Sequence, residues 1–141
     1  MRAVILVLLI AVLAGYLMYE RKRNYPFDTI TTPSGREFAA ERLPDECVAV
    51  ACEHRVAYFT STSDSAAMLN EARELLPWLE KQLTNSPPRL AGVYAYEPGW
   101  MKLKAPKRVT GMAFAQLLPG TWTLIGRQDF TSEMRKMLEG R

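Results

Sequence analysis

The chain has 141 residues, a formal net charge of +3, two cysteines and one histidine. This length suits one globular domain and is short of two. A basic excess this small does not indicate a nucleic-acid-binding protein, and so few cysteines and histidines form neither a disulfide framework nor a metal-ligand set.

The N-terminal segment is typical of a transmembrane helix. Residues 3–19 contain no charged side chain, and a spanning helix needs roughly 17–25 predominantly apolar residues. The run ends at a charged segment, Glu20-Arg21-Lys22-Arg23. We therefore predict a transmembrane anchor with a basic stop over residues 1–23.

A cleaved secretory signal peptide is the main alternative for this segment. Val12-Leu13-Ala14 resembles a small-residue cleavage site, although Val is a weaker choice than Ala at the first position. We interpret the segment as an uncleaved anchor.

Basic residues close to the ends of the anchor predict its orientation. Arg2 and the amino terminus precede the helix, whereas Arg21, Lys22 and Arg23 follow it directly. Basic groups this close to a helix end resist translocation, so the C-terminal side is expected in the cytoplasm. These three residues, called the juxtamembrane cluster below, also suit contact with anionic headgroups.

Small residues in the anchor suggest a helix-packing site. Ala11 and Gly15 are four residues apart, and Ala14 lies beside them. Because small side chains let helices approach closely in lipid, these three residues are the predicted contact with another membrane helix.

A first β-hairpin is predicted after a short linker at residues 24–27. Residues 28–32 are rich in β-branched side chains, and the Pro-Ser-Gly sequence at residues 33–35 is a turn signal. The chain is then expected to return along residues 36–40.

A second hairpin is predicted beyond a break at residues 43–45. Its strands are two runs rich in apolar residues, 47–52 and 55–60, joined by Glu53 and His54. Since neither joining residue favours positive φ, a single long strand with a bulge is the alternative.

An amphipathic helix is predicted after residues 61–65, which offer several N-cap side chains. The apolar residues that follow are spaced three and four apart: Met68, Leu69, Ala72, Leu75, Leu76, Leu79 and Leu83. Pro77 removes a backbone hydrogen bond, so we expect a kink or two helical pieces there.

Three further strands and a last helix are predicted in the C-terminal part. The strands cover residues 90–96, 109–118 and 121–125, with a Pro-Gly turn between the last two. The helix begins near Asp129 or Thr131 and carries four apolar residues, Phe130, Met134, Met137 and Leu138.

This order of elements indicates an α+β fold: a single N-terminal transmembrane helix followed by a small, mainly antiparallel sheet packed by two helices. Strict alternation of strands and helices is absent, which argues against a doubly wound sheet. We expect residues 24–141 to form one globular domain.

Cys52 and His54 are the only candidate pair for catalysis, since a Cys–His pair can generate a thiolate nucleophile. On one strand, however, residues two apart are separated by about 7 Å, too far for direct proton transfer. No metal-ligand spacing or phosphate-binding loop is present either. We therefore expect no catalytic, cofactor-binding or metal-binding residues.

A basic and aromatic stretch at residues 100–108 is a second candidate surface for a membrane or a protein partner. The residues that define it, called the basic stretch below, are Trp100, Lys102, Lys104, Lys107 and Arg108. A solvated loop with one ring in the core is an equal alternative.

These observations predict a non-enzymatic accessory or assembly subunit of a membrane complex, in the inner membrane of a bacterium. Its expected partners are membrane lipids and other membrane-protein subunits, without nucleic acid and without a cofactor. The alternatives are a membrane-tethered enzyme that uses Cys52 or His54, and a periplasmic sensor or binding module.

Overall fold

The computed structural model describes residues 1–48, 51–99 and 103–129. Its elements are, in chain order, α1 (Arg2–Asn24), β1 (Asp28–Thr31), β2 (Glu37–Val48), β3 (Ala51–Phe59), α2 (Ser65–Glu80), β4 (Arg89–Glu97), β5 (Lys107–Leu118) and β6 (Thr121–Asp129). The predicted C-terminal helix, apart from its first candidate cap, lies outside the described residues.

Two compact units make up the chain. The first contains residues 1–26 together with residues 98–107, and the second contains residues 27–97 together with the chain from residue 108 onward. We call them the anchor unit and the globular unit.

Helix α1 has the length and composition needed to cross a membrane. Its 23 residues extend about 34 Å at the rise of an α-helix, and none of them is buried. The predicted apolar helix is therefore confirmed, and it continues to Asn24 without a break at the basic residues.

The globular unit is a six-stranded sheet in the order β1-β2-β3-β4-β5-β6. Strands β1 and β2, β2 and β3, and β5 and β6 pair antiparallel. Strands β3 and β4 pair parallel, and α2 forms the crossover between them. The α+β class is confirmed, and the sheet is mostly antiparallel, as expected.

The hydrophobic core lies between α2 and one face of the sheet. Leu75, Leu76 and Leu79 of α2 are at most 1% exposed. Alternate residues of the central strands are buried with them: Val56, Tyr58, Ala91, Val93, Ala95, Met112 and Phe114. This alternation follows from the two-residue period of a strand, which places successive side chains on opposite faces.

Two predictions about β2 and β3 were wrong. Residues 43–45 do not end a strand, because β2 continues through them with a register shift between Leu43 and Glu46. This bulge accommodates Pro44, which lacks a backbone donor and whose carbonyl accepts from Arg55 Nε at 3.1 Å.

The second predicted turn also lies elsewhere. Glu53 and His54 are inside β3, and the chain reverses between Val48 and Ala51, which are paired in register. The length of the apolar run predicts one strand over residues 47–52. In the structure Cys47 pairs with Cys52 and Val48 pairs with Ala51, so the two ends of this run lie on neighbouring antiparallel strands.

Helix α2 begins at the predicted N-cap region and passes through Pro77. Asp64 caps it, since its carboxylate accepts from the backbone N–H of Ala67 at 3.1 Å. The expected division into two helical pieces is wrong, because the helix continues beyond Pro77 to Glu80.

Glu80 joins the end of α2 to the β5–β6 turn. Its carboxylate accepts from Gln116 Nε2 at 2.8 Å, from the Gly120 backbone N–H at 3.0 Å and from Trp122 Nε1 at 3.3 Å. Burial acts to raise the pKa of Glu80, but these hydrogen bonds outweigh it and hold the pKa below its ordinary value.

A pH-dependent contribution to stability follows for Glu80. A carboxylate whose pKa is lower in the folded state stabilises the fold above the unfolded pKa, and this stabilisation is lost as pH falls through the folded pKa. We expect E80Q to unfold at a lower temperature than the wild type at pH 7, with the difference shrinking below about pH 4. Melting curves of both proteins from pH 7 to pH 3 measure this. A constant difference would show that the carboxylate charge is not responsible.

Candidate functional site

The juxtamembrane cluster occupies the last turn of α1, where basic residues also complement the negative end of the helix dipole. Arg23 Nη2 lies 3.5 Å from Glu20 Oε2, one helical turn earlier. The three predicted basic residues are therefore presented by a rigid helix rather than by a flexible linker.

A distant loop packs on this end of α1 within the anchor unit. Asn24 Nδ2 donates to the Leu103 carbonyl at 2.7 Å, and the Gly99 backbone N–H donates to Tyr25 Oη. These contacts join residues that are more than 70 positions apart in sequence. Lys104 of the basic stretch thereby belongs to the same unit as the juxtamembrane cluster.

The rest of the basic stretch is divided. Lys107 begins β5, and Arg108 belongs to the globular unit, where its guanidinium carbon lies 5.0 Å from the centre of the Tyr94 ring. Trp100 and Lys102 lie outside the described residues.

The predicted helix-packing residues remain accessible on α1. Ala11, Ala14 and Gly15 are exposed, and a Cβ added at Gly15 would meet no atom within 4 Å. Their spacing of three and four residues places them on one face of the helix. Close approach of a second helix at this face stays a prediction.

Cys52 and His54 are placed differently from each other. Cys52 is exposed and forms a disulfide with Cys47, its register partner on β2. His54 is buried, with Nδ1 3.2 Å from Asp45 Oδ1. Because its sulfur is in a disulfide, Cys52 has no thiol proton that His54 could remove, and this pair does not form a thiolate nucleophile.

The globular unit contains a cleft of about 430 Å³ that the sequence did not predict. Strands β2 to β6 line it with both charged and small residues: Glu46, Glu53, Arg55, Tyr94, Arg108, Gly111, Met112, Ala113, Gly126, Arg127 and Gln128. Its charged groups come from four strands, β2, β3, β5 and β6, so only the pairing of those strands brings them together.

Glu53 and Tyr94 form the best-defined contact in this cleft. The Tyr94 hydroxyl donates to Glu53 Oε1 at 2.7 Å, and a Cβ at Gly92 would lie 1.8 Å from the same oxygen. Burial, followed by the hydrogen bond to Glu53, raises the pKa of Tyr94 to about 12. The phenol therefore stays protonated near neutral pH and acts as a donor rather than a base.

Exposed apolar side chains mark the β5–β6 hairpin. Leu117, Leu118 and Ile125 are 76%, 69% and 60% exposed, and we call them the apolar hairpin surface. Beside it, a cavity of about 380 Å³ is lined by Leu90, Ala115 and Leu117, among others. The exposure of Leu117 has a signal in the sequence. Consecutive residues of a strand point to opposite faces, so Leu117 lies on the face away from its buried neighbour Gln116.

Glu71 is the most extensively bonded buried charge among the described residues, yet its partners are structural. Its carboxylate accepts from Thr60 Oγ1 at 2.6 Å, from Ser61 Oγ at 3.2 Å and from Tyr58 Oη at 3.4 Å. Arg36 Nη2 adds an ion pair at 3.3 Å. These bonds join α2 to β3 and to the β1–β2 turn.

Residues 1–48, 51–99 and 103–129 contain no group of three or more His, Cys, Asp or Glu side chains placed to hold a metal ion. The sequence matches no protein-family model, and neither a curated protein nor a solved structure is significantly similar to it.

Proposed function

We propose that this protein is a non-enzymatic accessory or assembly subunit of a membrane complex, anchored by α1 in the inner membrane of a bacterium. The observation that carries the proposal is the apolar hairpin surface. Three large apolar side chains exposed on one hairpin of a domain with a formed core favour a protein-contact surface.

The short connection to the anchor supports the same function. Only residues 25–27 separate α1 from β1, so the globular unit follows the membrane segment almost directly. A partner contact made by the anchor would therefore also raise the effective concentration of the globular unit for that partner.

The hairpin surface is tested with full-length tagged protein purified from membranes in mild detergent. L117S/L118S should lose the subunits that co-purify with the wild type, because both exposed leucines lose apolar contact area. N70S/K81S alters an exposed polar residue of α2 and the exposed lysine at its C-cap, and serves as the matched control.

The control should retain the same subunits, and all three proteins should have similar melting temperatures. A wild-type protein that elutes alone as a monomer contradicts the proposal. So does retention of every co-purifying subunit by L117S/L118S.

We place the globular unit on the cytoplasmic side, because Arg21, Lys22 and Arg23 would otherwise have to cross the membrane directly behind the anchor. A periplasmic binding module is the second candidate, and the Cys47–Cys52 disulfide favours it. Disulfides persist in oxidising compartments and are rare in the cytosol of mesophiles.

Thiol accessibility in intact cells decides between the two sides. A cysteine introduced at exposed Thr84 should be protected from a membrane-impermeant maleimide until the cells are lysed. An R21Q/K22N/R23Q variant should orient less uniformly, since Arg2 is then the basic residue that directly flanks the apolar run in sequence. Labelling of the introduced cysteine in intact cells, with the anchor sequence otherwise unchanged, would instead support the periplasmic module.

A further inference from the structure

One face of α1 changes from apolar to basic near the end of the helix. Arg21 and Lys22 follow Met18 by three and four residues, and Tyr25 follows them by four and three, so the four side chains lie along this face. Together they line a cavity of about 420 Å³, which we call the juxtamembrane cavity.

The length of the apolar run sets the depth of this cavity in a bilayer. Residues 3–19 extend about 25 Å along the helix axis, close to the roughly 30 Å thickness of the hydrocarbon core. Met18 is therefore near the hydrocarbon boundary, and Arg21 and Lys22 follow at the depth of the lipid phosphates.

Two residues distant in sequence, Gly99 and Leu103, are bonded to this end of α1. The Gly99 backbone N–H donates to Tyr25 Oη, and the Leu103 carbonyl accepts from Asn24 Nδ2. The neighbouring Lys104 is exposed. In the juxtamembrane cavity itself, Arg21 and Lys22 place positive charge beside the apolar side chain of Met18.

We propose that the juxtamembrane cavity binds the headgroup of an anionic phospholipid. The guanidinium of Arg21 and the ammonium of Lys22 contact the phosphate, since an Arg fork matches phosphate oxygens and Lys supplies a point charge. An acyl chain lies along Met18. The proposal goes beyond subunit assembly, because it assigns a lipid ligand to the anchor unit.

The test uses full-length protein in nanodiscs with equal amounts of phosphatidylcholine and phosphatidylglycerol. After transfer to mild detergent, native mass spectrometry gives the ratio of the two lipids that stay bound. R21Q/K22Q removes two charges from the cavity, whereas R73Q/K81Q removes the same number from exposed positions of the globular unit. Because nanodiscs expose both leaflets, a change in cellular orientation does not affect the result.

We expect the wild type to retain an excess of phosphatidylglycerol. R21Q/K22Q should lower this enrichment at least fivefold, because each basic side chain at an anionic surface strengthens binding about fivefold. R73Q/K81Q should change it less than twofold. Millimolar inorganic phosphate should not displace the lipid, since it lacks the chain that contacts Met18.

Equal loss in both variants would show a general effect of charge and overturn the proposal. Displacement by inorganic phosphate would identify a free-anion site instead. If the wild type retains no excess of phosphatidylglycerol, or binds an acidic peptide in preference to it, the cavity is not a lipid site.

Discussion

L79A is expected to lower the free energy of unfolding by about 2–5 kcal/mol. Leu79 is fully buried between α2 and the sheet, and neighbouring core residues cannot close completely around the space left by its side chain. Urea unfolding of the full-length protein in detergent, followed by tryptophan fluorescence, measures this change, since Trp78 and Trp122 report on the same core.

L117A is the matched control, because it truncates the same side chain at an exposed position. We expect it to change the free energy of unfolding by no more than about 0.5 kcal/mol. If L79A has an effect as small as that of L117A, the apolar face of α2 does not form the core.

E71A is expected to cost about 1–3 kcal/mol, because it removes the shared acceptor of a buried hydrogen-bond network. The hydroxyls of Thr60 and Tyr58 lose their bonds to this carboxylate, and the Arg36 guanidinium loses one of its two carboxylate partners. Each buried polar group left unsatisfied costs about 1–3 kcal/mol. Urea unfolding measures the change.

E74A provides the comparison on the same helix. Glu74 contacts the other nitrogen of Arg36 at 3.0 Å, but its side chain is 34% exposed. Water screens such a pair, so its removal should cost less than about 1 kcal/mol. Equal losses for E71A and E74A would indicate that the network around Glu71 adds nothing beyond the ion pair.

The local elements were largely predictable because their signals lie in short segments. The apolar run of α1, the Pro-Gly turn before β6 and the three-four spacing in α2 each determine their own conformation. Errors occurred where one segment permits two conformations. The run at residues 47–52 reads as one strand, and only pairing with its own continuation makes it a hairpin.

The candidate sites were predictable only in part. The juxtamembrane cluster is contiguous in sequence, so its composition alone indicates a membrane surface. The loop that packs against it could not be foreseen, because Asn24 and Leu103 have no local relation. The charged cleft was missed for the same reason, since its side chains come from five strands.

The sequence by itself determined an apolar helix long enough to cross a membrane, the basic residues behind it, the α+β class and the buried face of α2. These properties depend on hydropathy and periodicity, which act over one or two turns of a helix or a few residues of a strand. Tertiary structure alone decided the parallel pairing of β3 with β4, the partners of Glu71 and the assembly of the charged cleft. Each of these depends on contacts between residues distant in the chain, whose relative positions no local pattern encodes.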